Sequence, residues 1–248
     1  MRGKLQVDPD IYVSHPDYVA LVIYAEGMTN GPSDGYSVEA LRAAEASARA
    51  LGRNAALDGH AHIQAWRQAF KSFGAKPKRY FCGAESLLRR VLEGDSIPQV
   101  NRIVDAYNAV SMKYVLPVGG EDWERLVGDL RLVRARGDEP FVTAGAEGEQ
   151  TAYPSPGEII WADLEGATVR RWNWRQCRRT RITDETQSAY FVLDRLAPYP
   201  VDELTAAGEE LISHLKSMSP DASLRSELLH AADAVLAPAA LEGTHEAQ

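Results

Sequence analysis

The chain has 248 residues, 45% of them hydrophobic and 25% charged, an ordinary globular composition that can bury the core of one large domain or two small ones. Its formal net charge of −8 excludes a generic nucleic-acid coat, so a polyanion would need a local basic patch and no DNA partner is expected. Two cysteines, Cys82 and Cys177, exclude a disulfide framework, and with no apolar run near the ~20 residues that span a bilayer and no signal-peptide core, the sequence reads as soluble and cytoplasmic.

The β-branched run YVALVIY at 18–24 predicts a buried strand, and the Gly-, Pro- and Asn-rich 27–35 a loop. Residues 37–51 are Ala- and Glu-rich and read as a helix with Ser37 as N-cap. A second helix is expected over 63–73, with Ile63, Trp66, Phe70 and Phe73 on one face, and a third over 84–93, stopped by Gly94. The stretch 97–122, IPQVNRIVDAYNAVSMKYVLPVGGED, organises the rest. Val100, Ile103, Val104, Tyr107 and Val110 recur at helical spacing, and Asn101, Asp105 and Asn108 form a polar stripe beside them. Pro98 suits the first turn of that helix and Pro117 its end. Gly119-Gly120 then reads as a turn whose backbone can approach a ligand.

Beyond residue 122, strands are expected over 130–133, 140–143, 158–163, 167–174 and 188–193, with 144–157 as an exposed turn region. Amphipathic helices should cover 201–218 and 224–236, broken at Ser219-Pro220. A single α+β domain over 1–236, with its core at about 66–196 and a disordered tail over 237–248, is the expected organisation.

The segment 170–181, RRWNWRQCRRTR, sets six arginines and two tryptophans inside an acidic protein. Arginine and tryptophan together can grip phosphates and stack on bases; if extended, Trp172 and Trp174 share one face. The plainer reading is a strand whose tryptophans pack the core and whose arginines pair with carboxylates. His60 and His62 are too close in sequence to face one metal from a helix, and no metal or cofactor is expected. Cys82 precedes a helix and Cys177 lies among arginines, settings that can lower a thiol pKa, yet no histidine stands near either as a base. Glu85 opens the third helix, either complementing its dipole or aiming a carboxylate at an amine.

The ordered motifs GAESLLRRVLEGDSIPQVNRIVDAYNAVSMKYVLPVGGED, RLVRARG, PGEIIWAD and RWNWRQCRRTRITDET resemble the B3/B4 domain of the phenylalanyl-tRNA synthetase β chain, and more closely its free-standing bacterial relatives. The likeness covers about 66–196. It implies a layered fold of sheets and helices around a small amino-acid pocket, which in the synthetase hydrolyses wrongly formed tyrosyl-tRNA. The Asn of the family's V-D-x-x-N pattern is Asn108, its later Pro and Asp are Pro117 and Asp122, and its T-x-E-T close is matched by Thr183, Glu185 and Thr186. By spacing, the synthetase's editing His would fall on Gly119 and its editing Glu near Arg178, so neither is retained.

The resemblance implies an aminoacyl-tRNA deacylase acting in trans, with tRNA and an amino acid as partners, no membrane partner, and an open oligomeric state. Asn108, Ser111 and Arg175 are the candidate catalytic residues. Glu85, Gly119, Gly120, Trp174, Gln176 and Thr180 are the candidate substrate-binding ones. Asn108 and Ser111 would position water or the substrate amine, Gly119 and Gly120 would offer backbone N–H groups to an oxyanion, and Arg175 with Trp174 would hold the terminal adenosine. Two alternatives remain: a non-catalytic module that binds an amino acid or tRNA, and a transferase that uses aminoacyl-tRNA in secondary metabolism.

Overall fold

The computed structural model describes residues 3–50, 55–145 and 148–234. Strand β1 (Leu5–Val7), helix α1 (Pro9–Ser14) and strand β2 (Val19–Glu26) are followed by helices α2 (Gly35–Ala50), α3 (Ala55–Gly59), α4 (Ala61–Ser72), α5 (Gly83–Leu92) and α6 (Arg102–Tyr114). Strands β3 (Val118–Asp122), β4 (Leu130–Arg134), β5 (Phe141–Gly145), β6 (Gly148–Ala152), β7 (Ile159–Asp163), β8 (Gly166–Arg170), β9 (Arg175–Gln176) and β10 (Ser188–Arg195) come next. Helix α7 (Val201–Met218), strand β11 (Ser223–Leu229) and helix α8 (Ala231–Ala234) complete a mixed α+β fold. No helix among the described residues is long and apolar enough to cross a membrane.

Two sheets carry the layers. One runs β11-β2-β10-β3 and the other β1-β4-β7-β8-β9, with β5-β6 as a separate hairpin. Strand β10 is central to the first sheet, pairing antiparallel with β2 over eight residues and with β3 over five. Its two faces divide the core by strand alternation. Phe191 and Leu193 pack with Ile103, Val110, Leu204 and Leu211 of α6 and α7. Tyr190 and Val192 turn the other way, into a core shared with Leu132, Ile159 and Trp161 of the second sheet. A helical layer, the four-stranded sheet and the five-stranded sheet are thus stacked in that order.

Several local expectations change. Asp34, not Ser37, opens α2: its carboxylate accepts from Ser37 N (2.9 Å), while Ser37 Oγ accepts from Asp34 N (3.1 Å). Helix α6 starts later than Pro98: Asn101 is its N-cap, accepting from Val104 N (3.0 Å), and Val100 is exposed rather than part of the apolar arc. It ends at a left-handed Val115 (φ 49°), with Leu116 N donating back to Ser111 O (3.1 Å), before Pro117 is reached. The Gly119-Gly120 turn is instead part of β3. Gly120 is where β10 requires glycine, since an added Cβ would lie 2.7 Å from Phe191 Cδ1 and 2.9 Å from Ile182 Cδ1. The expected strand 167–174 stops at Arg170, because Arg171 and Trp172 adopt φ of 48° and 64° and turn the chain into β9. Residues 148–152 are strand β6 rather than open turn. The last expected helix, 224–236, is strand β11 over its first half: β2 would otherwise expose a free edge, and that pairing outweighs local helical propensity. The expected tail 237–248 lies outside the described residues.

Candidate functional site

Strand β3 is the edge of its sheet, and the space between it and the second sheet is a cavity of about 270 Å³. Gly119, Glu121, Tyr190, Val192 and Asp194 form the floor, all on the face of β3 and β10 turned toward the second sheet. Trp161 and Val169 stand opposite. Gly83, Ser86 and Leu87 of α5, Tyr107 and Asn108 of α6, and the turn from Trp172 to Gln176 close the rest. The approach of α5 to that turn is tight, since a Cβ on Gly83 would lie 3.3 Å from Asn173 O.

The floor is polar at both ends. Glu121 is buried and accepts from Thr168 Oγ1 at 3.1 Å and from the Thr180 hydroxyl. Burial pushes its carboxyl up to about 7, against the opposing pull of those hydroxyls. Asp194 is also buried, accepting from Tyr18 Oη (2.6 Å) and Asn173 Nδ2 (3.1 Å), and burial pushes it up to about 6. Neither acid pairs with a lysine or arginine among the described residues. The aromatic rings of Tyr107, Trp161, Trp172 and Trp174 line the space around them.

Backbone donors are fewer than two glycines suggest. Gly120 O accepts from Gln176 Nε2 (3.0 Å) and Asp122 N donates to Thr180 O (2.8 Å), so the even-numbered residues of β3 direct their polar groups to its outer edge. Asp194 N donates to Pro117 O (2.9 Å), so the odd-numbered residues face β10. The Gly120 N–H is therefore at the outer edge, where Arg181 bridges to Glu121, and that of Gly119 is turned into the sheet. Gly119 contributes space instead, because nothing lies within 4 Å of where its Cβ would be.

Of the expected site residues, Asn108, Gly119, Gly120, Trp174, Arg175 and Gln176 meet in this cavity. Arg175 is exposed at the mouth, its guanidinium 4.8 Å from the Trp174 ring centre. Three others do not line it. Ser111 is fully buried and donates to Leu116 O (2.7 Å), clasping the end of α6. Thr180 is buried beyond it and donates its hydroxyl to Glu121. Glu85 is gripped by Arg67 Nη2 (2.6 Å) and Arg89 Nε (2.8 Å), so its carboxylate is already satisfied. Sequence reasoning missed Glu121, Asp194 and Asn173. The strand alternation of Tyr190, Val192 and Asp194 was the available signal.

The arginine segment mostly follows the plainer reading. Arg170 forks onto Glu158 (2.6 and 2.8 Å) and Arg179 onto Asp163 (2.8 and 2.7 Å), while Trp172 packs against Tyr18 and Trp66. Both cysteines are buried; burial pushes the Cys82 thiol up to about 12 and raises that of Cys177, so neither is a ready thiolate. His62 accepts from Trp66 Nε1 (3.0 Å) in the core. Among the described residues no group of three His, Cys, Asp or Glu is placed to hold a metal.

The motif pieces at the close of the strand region also meet. Thr186 Oγ1 donates to Asp122 Oδ2 (2.7 Å) and accepts from Thr183 N (2.9 Å), tying that loop to the end of β3. No curated protein matches the chain. Among solved structures, an N-terminal fragment of the phenylalanyl-tRNA synthetase β-subunit from Pyrococcus horikoshii is similar at 12% identity, with a TM-score of 0.43. That alignment covers 91% of this chain and 51% of that one, so the chain spans about half the fragment's length. The family model of the B3/4 domain matches residues 65–206, which include α5, α6, β3, the arginine segment and β10. The chain belongs to the B3/4 domain family.

Proposed function

We propose that this protein is an aminoacyl-tRNA deacylase acting in trans, with the β3 edge as its reaction centre. The observation that carries the reading is Glu121, a buried carboxyl with an affinity for protons near neutrality, next in sequence to an edge N–H and facing an aromatic cavity. A base of that strength suits proton transfer at neutral pH. Thr168 and Thr180 each occupy one of its oxygens and leave lone pairs for a water. Glu121 takes a proton from that water, whose oxygen bonds to the ester carbon. The carbonyl oxygen becomes an oxyanion facing the Gly120 N–H. Collapse breaks the bond to the ribose oxygen, which receives the proton from Glu121, leaving a free amino acid and uncharged tRNA. Asn108 accepts from the α-ammonium, and Arg175 with Trp174 supports the terminal adenosine at the mouth.

Release of amino acid from a full panel of correctly and wrongly charged tRNAs tests this. Release from at least one species is expected with catalytic amounts of protein, and Glu121→Gln should slow it by roughly 10²- to 10⁴-fold. Release from none, with folded protein, would overturn it.

A non-catalytic binding module is the second reading. It is favoured by the cavity lining, which includes no histidine among the described residues. Tight tRNA binding without ester cleavage would establish it, whereas transfer of the aminoacyl group to a small amine would point to a transferase.

A further inference from the structure

The cavity holds a second buried acid that the hydrolytic chemistry leaves unused. Asp194 lies on β10 four residues beyond Tyr190, the partner of Glu121 across the sheet, so the two acids are separated by roughly 14 Å of strand at ~3.4 Å per residue. Val192 and Gly119 form the apolar, open stretch between them. At the Asp194 end two polar atoms are buried without a partner, the donor Trp172 Nε1 and the acceptor Asn173 Oδ1. Asn173 gives its Nδ2 to Asp194 (3.1 Å), which fixes the orientation of the amide, and its Oδ1 is then buried without a partner. An unpaired buried acceptor is costly, and beside a carboxyl lacking any cation it marks a place for a donor from outside the chain. The aromatic walls suit a cation sliding past them.

We infer that the Asp194–Asn173 end of the cavity recognises a cationic side chain, so the aminoacyl group handled here is of the lysine or ornithine type. This rests on the proposed ester-hydrolysing site only for the direction in which the aminoacyl group lies. The reacting ester sits by Gly120, the aliphatic chain crosses Val192, and the terminal ammonium donates to Asp194 and to Asn173 Oδ1. Purely hydrocarbon side chains of equal length leave both acceptors unpaired. A donor-accepting pocket discriminates more sharply against an analogue lacking the group than an apolar pocket does against an added one.

The test is calorimetric binding of L-lysine methyl ester and L-norleucine methyl ester to the full chain, the two differing in the terminal amine. Binding of the lysine ester at least about tenfold tighter is expected. Asn173→Ala and Asp194→Asn should each bring the two esters to within about threefold, and Asn173→Ala keeps the test open if the buried acid is needed for folding. Equal binding of both esters, binding of neither, or a preference that survives both substitutions would overturn the inference. A tRNA species with a hydrocarbon aminoacyl group that is deacylated while lysine ester is ignored would sink this inference and leave the deacylase reading standing. Selective lysine-ester binding without hydrolysis of any charged tRNA would do the reverse.

Discussion

Two kinds of arginine share the segment between β8 and the loop after β9, and the contrast separates support from recognition. Arg170 is buried and forked on Glu158, and Arg179 is forked on Asp163. Arg175 is exposed over Trp174, with no carboxylate partner among the described residues. A guanidinium taken out of water needs a carboxylate, whereas one left at a cavity mouth is available to a ligand's anion. An arginine run in an acidic protein is therefore informative only once its partners are known. Arg170 and Arg179 staple the second sheet, while Arg175, Arg178 and Arg181 are exposed, and of these Arg175 stands at the cavity mouth.

The largest effect that would break the contrast is at Arg170. Arg170→Ala takes the forked guanidinium from the buried Glu158, leaving it the Arg171 N–H (3.2 Å) and the more distant Arg171 guanidinium (3.7 Å), and is expected to cost about 3 kcal/mol in chemical denaturation. A loss under ~1 kcal/mol would show that the pair is dispensable support. Next comes the pH dependence of the cavity floor. Glu121 is raised from 4.5 to about 7 and Asp194 from 3.8 to about 6. Both acids hold their protons more tightly in the folded state. Their contribution to stability is thus greatest at acid pH and is lost as pH rises from about 4 through 7. Glu121→Gln should flatten that slope by up to about 3 kcal/mol, read from denaturation midpoints across the same range. An unchanged slope would mean that Glu121 is hydrated and ordinary.

Adjacent glycines give a smaller, sharper contrast. Gly120→Ala drives a methyl group against Phe191 and Ile182 and should destabilise by about 1–3 kcal/mol. Gly119→Ala meets nothing, so stability should change by less than ~0.5 kcal/mol while ligand affinity falls, because the methyl group enters the cavity. Smallest for stability is Arg175→Ala, within ~0.5 kcal/mol. Its signature is in tRNA binding, where the slope of log affinity against log salt should become shallower by roughly 0.7 if one phosphate contact is lost.

What the sequence made legible was whatever local chemistry decides. The apolar spacing of Ile63, Trp66 and Phe70 located α4, and Gly94, at φ 105°, stopped α5 where expected. What it hid was decided across the sheet. Gly119-Gly120 looks like a turn until β10 is placed beside it, and Leu224 and Leu228 suit a helix until β2 offers an unpaired edge. Six of the nine expected site residues line the cavity, Asn108 through the family motif and the others through the glycine pair and the arginine-tryptophan run. Glu121 stayed hidden because an acid after two glycines has no signature; only the register with Tyr190 turns it inward. Glu85 was misleading for the opposite reason: its neutralising Arg67 comes from α4, eighteen residues back.

The place of β2 in the first sheet has a practical bearing on how the protein can be cut. The family match begins at residue 65, yet β10 takes its full-length partner from residues 19–26, and β11 at 223–229 covers the other side of that same strand. Inherited boundaries and folding boundaries do not coincide here. A fragment trimmed to 65–206 would leave β10 with β3 alone and bare a long, apolar, hydrogen-bonding edge, which favours aggregation. Domain hunters who clone by family limits should expect inclusion bodies from it and soluble protein from a chain that keeps β2 and β11.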